Sequence, residues 1–418
     1  MRDPRRLTAR YYIESSIEPD RAAALLAGEQ SSGTFVQVPG ESDELRSRHG
    51  AEVTAVRQLG EVAPALPSRT TPERVTAAEI DLEFPMENVG SDLATTLTAV
   101  AGNLFELGDL FACRLQSLDL PEEYVDAHEG AAFGVAGTRR LIGLGDSDVV
   151  VGTIVKPNVG LKEAEYRTVV RDLARASIDL IKDDELMTDP SYLPLETRVR
   201  VAMEEIDAAA QVTGKRTMYA FNITGDIAGL RQRHDLVVDA GGTCVMLTIP
   251  VMGLPALAYL RSFAAVPIHG HRGGLAASMR HPALGVSYEA WQKLARLAGT
   301  DHLHASGLGS KFYERDEEVS GNVRHLLTPL GQGEQVLPAL SSGQNVFTPH
   351  PTWDALHTTD LLMLAGGGIA AHPGGPAAGV QSLRESWAAA VAGESLDDAA
   401  RRSPALGRAV EFFGPAPR

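Results

Sequence analysis

The stretch "DLIKDDEL", residues 179–186, sets a lysine and three carboxylates in four consecutive positions behind an apolar run. Charged groups are rarely buried unless they pair or bind a metal. Side chains alternate along a strand, so Lys182 and Asp184 share one side, and Glu185 follows where a strand would give way to a loop. Asp184 and Glu185 offer hard oxygen ligands suited to Mg2+. An ammonium group cannot ligate a cation. Lys182 can either pair with the carboxylates or take up CO2 as a carbamate, which adds a third anionic oxygen donor. The spacing alone leaves both readings open, a structural Lys–Asp bridge and a metal centre.

Further chemistry-bearing residues close other apolar runs. They are Lys156 in "IVKPN", Asn222, His269, His271 and Arg272 in "HGHR", His302 and His304 with Lys311 on the following loop, Ser342 with Gly343, and Gly366 with Gly367. Polar groups at the ends of so many strands point to a shared site rather than to packing. Arg272, through its forked donors, could bind one oxyanion together with His304 and Ser342. The backbone N–H groups of Gly366 and Gly367, opening a helix, could bind another with Lys311. Lys156 and His271 are then the acid/base candidates beside the metal. A histidine-bound metal is the weaker alternative, because Mg2+ prefers oxygen.

The elements that must position these groups begin near residue 148. Strand-like runs at 149–157, 178–185, 217–224, 243–251, 266–272, 302–307, 336–343 and 361–368 alternate with helix-like stretches such as 162–176, 192–213, 285–298 and 376–393. Eight β-α units predict a (β/α)8 TIM barrel over 131–418, with a doubly wound open sheet as the competitor. Residues 1–130 read as an α+β, ferredoxin-like domain. There "LTARYYIES", "GTFVQVPG" and "TAAEIDLEFP" predict strands, and "PDRAAALLAGEQS" and "SDLATTLTAVAGNLF" predict helices.

Composition narrows the class. The 418 residues are 44% hydrophobic and 22% charged, as in ordinary globular proteins. A net charge of −16 argues against nucleic acid or an anionic membrane as partner, but not against a small anionic substrate in a local basic pocket. Cys113 and Cys244 form no CxxC pair, so neither a zinc site nor a disulfide framework is expected. There is no secretory h-region and no apolar run of membrane-spanning length, so the cytoplasm is the expected compartment.

Taken together, "GTIVKPNVGL", "KDDE", "HGHR", "HLHASGLGSK", "SSG" and "GGGIAAHPGG" resemble, in order, the active-site segments of the ribulose-bisphosphate carboxylase superfamily. "EQSSGTF" (29–35) and "AGNLF" (101–105) are similar to the two segments that a partner subunit contributes there. The sequence departs from the carboxylases at Asn158, where their KPK motif has a second lysine, in the loop before Lys311, and at Gln344, where they have glycine. It resembles instead the RuBisCO-like (form IV) proteins. "KDDELMTDP", "YAFNITGD" and "HPALGVSYEAWQKLARLAGTDHLH" are most similar to the branch of 3-oxo-isoapionate 4-phosphate decarboxylases.

The resemblance implies a Mg2+ enzyme with CO2 held as a carbamate on Lys182, and Asp184 and Glu185 as the other metal ligands. It implies Lys156 as acid/base, His271 as a second proton-transfer group, and a homodimer or dimer-based oligomer in which Asn103 reaches the partner's site. Arg272, His304, Ser342 and Gly343 would meet one end of a small phosphorylated or acidic sugar. Thr34, Lys311, Gly366 and Gly367 would hold the phosphate, with Glu29 orienting Lys311. The expected reaction is decarboxylation of a 3-oxo sugar acid through an enediolate. The alternatives are a sugar-phosphate isomerase or enolase of the methionine-salvage type, and a non-catalytic protein that binds a phosphorylated ligand.

Overall fold

The computed structural model describes residues 5–33 and 38–414. Its contacts divide the chain into two compact units. The first is Met1–Gly130 with Gly274–Ala298 and Leu330–Gln332; the second is Ala131–Gly273, Gly299–Pro329 and Gly333–Arg418.

The first unit is built on β1 (Arg6–Ser15), β2 (Glu52–Val62), β3 (Val75–Pro85) and β4 (Leu110–Asp119), paired antiparallel in the order β4-β1-β3-β2. Helices Pro19–Glu29 and Leu93–Ala101 supply the crossovers, which completes the ferredoxin-like pattern. Alternate residues of β1, namely Leu7, Ala9, Tyr11 and Ile13, are fully buried, as a strand with one covered face requires. Tyr11 donates its hydroxyl to Val100 O at 2.8 Å, tying the sheet to the second helix. The expected strand "GTFVQVPG" falls largely on 34–37, outside the described residues.

A fifth strand, β10 (Leu284–Val286), comes from much later in the chain and pairs parallel with β4. The helix expected over 285–298 is present as Tyr288–Leu297, but it belongs to this first unit. The reason is local: β4 offers an unpaired edge, and its backbone recruits the segment through Cys113 N to Ala283 O (2.8 Å) and Ser287 N to Leu115 O (2.8 Å). Arg114 adds donors to Met279 O (2.8 Å) and His281 O (2.6 Å).

The second unit is a closed barrel of eight parallel strands. They are β5 (Val150–Ile154), β6 (Leu180–Lys182), β7 (Met218–Asn222), β8 (Cys244–Thr248), β9 (Ile268–His271), β11 (His302–Ser306), β12 (Leu337–Leu340) and β13 (Leu362–Leu364). Each is shorter than the apolar run that announced it, because the residues that follow turn out into loops at the C-terminal end. The barrel interior is a packed core, as in other such barrels. Val150, Leu180, Met218, Cys244, Leu337 and Leu362 cluster with Val135 and Ile142 of the helix Gly134–Ile142. Buried Asp301, just before β11, fastens that helix: it accepts from Phe133 N (2.6 Å) and Gly134 N (3.1 Å), and from Arg261 Nη1 (3.0 Å). Cys113 and Cys244 are buried free thiols. Among the described residues no helix is long and apolar enough to cross a membrane.

Candidate active site

Lys182 is the last residue of β6 and is 1% exposed. Its Nζ donates to the carbonyl of Asp183 at 2.8 Å. Burial pushes its ammonium below the ordinary lysine range, against the opposing charges of Glu185, Asp184 and Asp183. A lysine held toward its neutral amine is the form that can add CO2.

The alternation expected of "KDDE" holds. Asp183 is turned to a different set of partners: it accepts from Tyr219 Oη (2.7 Å), Arg198 Nε (2.9 Å) and Asn222 N (2.9 Å). It is a structural carboxylate with its lone pairs occupied. Asp184 Oδ2 instead lies 3.0 Å from Lys156 Nζ, and Lys156 also donates to Asn158 Oδ1 at 2.7 Å. Glu185 Oε2 is 3.6 Å from His271 Nε2.

His271 ends β9. Its Nδ1 accepts from Gly273 N at 3.1 Å, which leaves the ring proton on Nε2, facing Glu185. Burial, then the charge of Lys182, pushes its pKa down to about 3, so the ring is a neutral donor.

Behind it three buried histidines form a chain. Thr138 Oγ1 donates to Gly134 O (2.5 Å) and therefore accepts from His302 Nε2 (2.7 Å). His302 Nδ1 then accepts from His269 Nδ1 (3.3 Å), and His269 Nε2 accepts from His304 Nε2 (2.8 Å). His304 Nδ1 is left to accept from Ser341 Oγ (3.1 Å). One set of neutral tautomers satisfies every bond, and burial pushes all three rings below the ordinary histidine range. Both ring nitrogens of His304 are therefore engaged within the chain.

Arg272, the residue after His271, donates from Nη1 and Nη2 to the two carboxylate oxygens of Glu314, the first at 3.0 Å. Lys311 lies exposed on the same loop as Glu314. Ser342 and Gly343 follow β12 in left-handed conformations (φ 72° and 76°), and the Ser342 hydroxyl is buried with no partner among the described residues. A Cβ at Gly343 would lie 3.8 Å from Lys311 N, so these two loops are neighbours. Gly366 and Gly367 open the short helix Gly366–Ala370 after β13. A Cβ at Gly366 would stand 3.2 Å from Lys156 Cε, which places that glycine beside Lys156.

Thr34 lies outside the described residues. Glu29 and Asn103 belong to the first unit and are exposed. Their segments are adjacent there: Gln30 Nε2 reaches Thr98 O (3.3 Å), and a Cβ at Gly102 would lie 2.9 Å from the same nitrogen.

Three residues support the site in ways that the sequence did not indicate. Arg198 is fully buried and holds Asp183, Met187 O (3.2 Å) and Thr188 O (2.6 Å), fixing the loop after the acidic motif. Its signal was an arginine among Leu195, Val199 and Ala202 on the buried face of helix Leu195–Thr213. Asn222, noted only as a polar strand end, donates to Asp184 O and Glu185 O (3.2 Å each) and so shapes the turn that presents both carboxylates. Gln344 is 2% exposed and directs Nε2 toward Leu308 O, Ser341 O and Ser342 O (3.3–3.4 Å). A Cβ at Gly307 would come within 2.3 Å of that nitrogen. The two departures in "ASGLGSK" and "SSGQ" therefore accommodate each other.

Among the described residues no three His, Cys, Asp or Glu side chains converge to hold a metal. Asp184 and Glu185 supply two carboxylates, and a carbamate on Lys182 would supply the third hard donor. With that addition the set fits Mg2+.

The ribulose bisphosphate carboxylase large chain N-terminal domain matches residues 2–124, and the catalytic domain of the same chain matches 134–413. A protein of Xanthobacter autotrophicus named 3-oxo-isoapionate-4-phosphate transcarboxylase/hydrolase is 44% identical, over 98% of this chain and 99% of its own. A 3-oxo-isoapionate-4-phosphate decarboxylase of Rhizobium etli is 37% identical, over 97% and 98%. The crystal structure of a rubisco-like protein from Burkholderia fungorum superposes with a TM-score of 0.91 at 43% identity, covering 98% of this chain and 100% of that one. On sequence and fold alike, the chain belongs to the ribulose bisphosphate carboxylase large-chain family.

Proposed function

We propose that the chain is a RuBisCO-like enzyme that removes the carboxyl group of a 3-oxo sugar acid phosphate of the 3-oxo-isoapionate 4-phosphate class. The observation that carries this reading is the contact between Lys156 and Asp184, which sets a proton donor against a carboxylate of the acidic motif. Relatives at 44% and 37% identity, both named for that substrate, support it.

Lys182 as its carbamate, Asp184 and Glu185 would hold Mg2+, which when bound supplies positive charge where an oxyanion develops. The chain's own residues do the rest. Loss of CO2 from a 3-oxo acid leaves a carbon that must gain a proton. Lys156, held by Asn158 and Asp184, is the acid placed to give it. His271 presents its Nε2 proton to a developing oxygen without carrying a charge of its own. Lys311 with the backbone of Gly366 and Gly367 takes the phosphate. Exposed Glu29 and Asn103, on neighbouring segments of the first unit, complete the site of a partner subunit in a homodimer.

The relative named transcarboxylase/hydrolase favours a second reading, in which the carboxyl group passes to an acceptor and is then hydrolysed. The first carbon product separates the two. Decarboxylation gives CO2, while hydrolysis gives bicarbonate, and a membrane-inlet CO2 trace with and without carbonic anhydrase tells them apart.

A further inference from the structure

Arg272 and Glu314 meet fork to fork. Nη1 lies 3.0 Å from Oε1, Nη2 binds Oε2, and the side chains are 15% and 6% exposed. Asn322 Nδ2, on the helix Asp316–Leu327, stands 3.5 Å from the same Oε1. A carboxylate of the chain itself thus occupies the donors that the sequence reading offered to a substrate anion.

We propose that Glu314 determines specificity. It acts as an internal carboxylate that closes the Arg272 side of the site to a second phosphate or a carboxylate and reserves it for the hydroxyl-bearing end of a ligand with a single phosphate. The inference rests on the proposed function, because it says which end of such a sugar acid meets Arg272.

Charge is the first argument. The guanidinium and the carboxylate cancel, and a phosphate brought to them faces a carboxylate of like sign. To reach Arg272 it must expel Glu314, leaving that carboxylate little exposed and without its strongest partner. The remaining donors point the same way. His304 has both ring nitrogens bonded to Ser341 and His269, so it brings no positive charge to an anion. The Ser342 hydroxyl is neutral and has no partner among the described residues. A neutral hydroxyl brings no positive charge to offset a second oxyanion, whereas it can exchange hydrogen bonds with an alcohol.

The chemistry agrees. A carboxylate that must leave as CO2 is a poor object for a bidentate arginine clamp, since tight ground-state binding there would oppose its departure. Glu314 also follows Lys311 by three residues on one loop. The pair with Arg272 therefore anchors the segment that carries the phosphate-binding lysine.

The test is titration calorimetry on the full-length protein with Mg2+ and bicarbonate present, using ribitol 5-phosphate and ribitol 1,5-bisphosphate as probes. Wild type should bind the bisphosphate no more than about threefold tighter than the monophosphate, whereas Glu314→Gln and Glu314→Ala should each shift the ratio toward the bisphosphate by about tenfold or more. Adding Arg272→Ala to Glu314→Gln should cancel the shift. A wild-type protein that already prefers the bisphosphate about tenfold overturns the proposal, as does an unchanged ratio in both folded variants. No turnover enters the measurement. The expected ratios without CO2 release from a 3-oxo sugar acid would sink the reaction reading alone, and CO2 release with the ratios unmoved would sink the role of Glu314 alone.

Discussion

Lys156 Nζ lies 3.0 Å from Asp184 Oδ2, and Asn158 Oδ1 accepts from the same nitrogen at 2.7 Å. Where the carboxylases carry a second lysine, this chain carries the acceptor that orients the first. Lys156→Ala should lower kcat by about 10²- to 10⁴-fold with little change in KM, as expected for a lost general acid. Asn158→Ala should lower kcat less and leave the protein as stable as wild type. Steady-state kinetics on both variants check this; a KM effect alone would make Lys156 a binding residue.

Lys182 is buried and pushed toward its amine, and among the described residues no third His, Cys, Asp or Glu converges with Asp184 and Glu185 to hold a metal. Activity should vanish on removal of divalent cations and return with Mg2+ plus bicarbonate. Lys182→Ala should be inactive under both conditions while keeping the wild-type circular dichroism spectrum. Turnover by Lys182→Ala, or full turnover after chelation, contradicts the assignment.

The shared site of the proposed homodimer predicts complementation. Asn103→Ala and Lys182→Ala should each be inactive. In a mixed dimer one site collects both defects and the other collects none. Equal amounts at full exchange should recover about a quarter of wild-type activity, since half the dimers are mixed and one of their two sites is intact. Absence of recovery after exchange is verified by mass spectrometry would mean that each chain builds its own site.

The histidine chain makes stability depend on pH. His302 is pushed by burial from its ordinary 6.5 to about 3, and His269 and His304 are pushed down as well. A depressed folded pKa means that the unfolded chain binds the extra proton. The contribution is fully present above about pH 6.5 and is lost as pH falls toward 3, at about 1.4 kcal/mol per pH unit for each histidine that titrates only on unfolding. His302→Asn should flatten the slope of urea-unfolding free energy between about pH 6 and 4 relative to wild type. Parallel slopes would show that the ring is already charged in the folded state.

Much of this was legible because strands and chemistry coincide in a barrel. All eight apolar runs became barrel strands; Lys182, Asn222 and His271 are the last residues of theirs, and Lys156, Arg272, Ser342 and Gly366 lie just beyond the ends of theirs. Lys182 and Asp184 followed the period of two, and Asp183 took its own partners. What escaped depends on long-range pairing. β2 is an edge strand exposed along most of its length, so it has no apolar stripe to announce it. β10 exists only because β4 offers it an edge. Arg272 with Glu314, and Gln344 with Gly307, join residues tens of positions apart, and no local pattern couples them.

The central claim is that a 3-oxo sugar acid phosphate loses its carboxyl group here and that Lys156 protonates the carbon left behind. The direct measurement is to incubate the Mg2+- and bicarbonate-treated protein with 3-oxo-isoapionate 4-phosphate in D2O, following CO2 by membrane inlet and the product by NMR and mass spectrometry. The account predicts one CO2 per product molecule, one deuterium at the carbon that lost it, and loss of both with Lys156→Ala. An isomer carrying deuterium at an enolised carbon, with its carboxylate retained and no CO2 released, would contradict it.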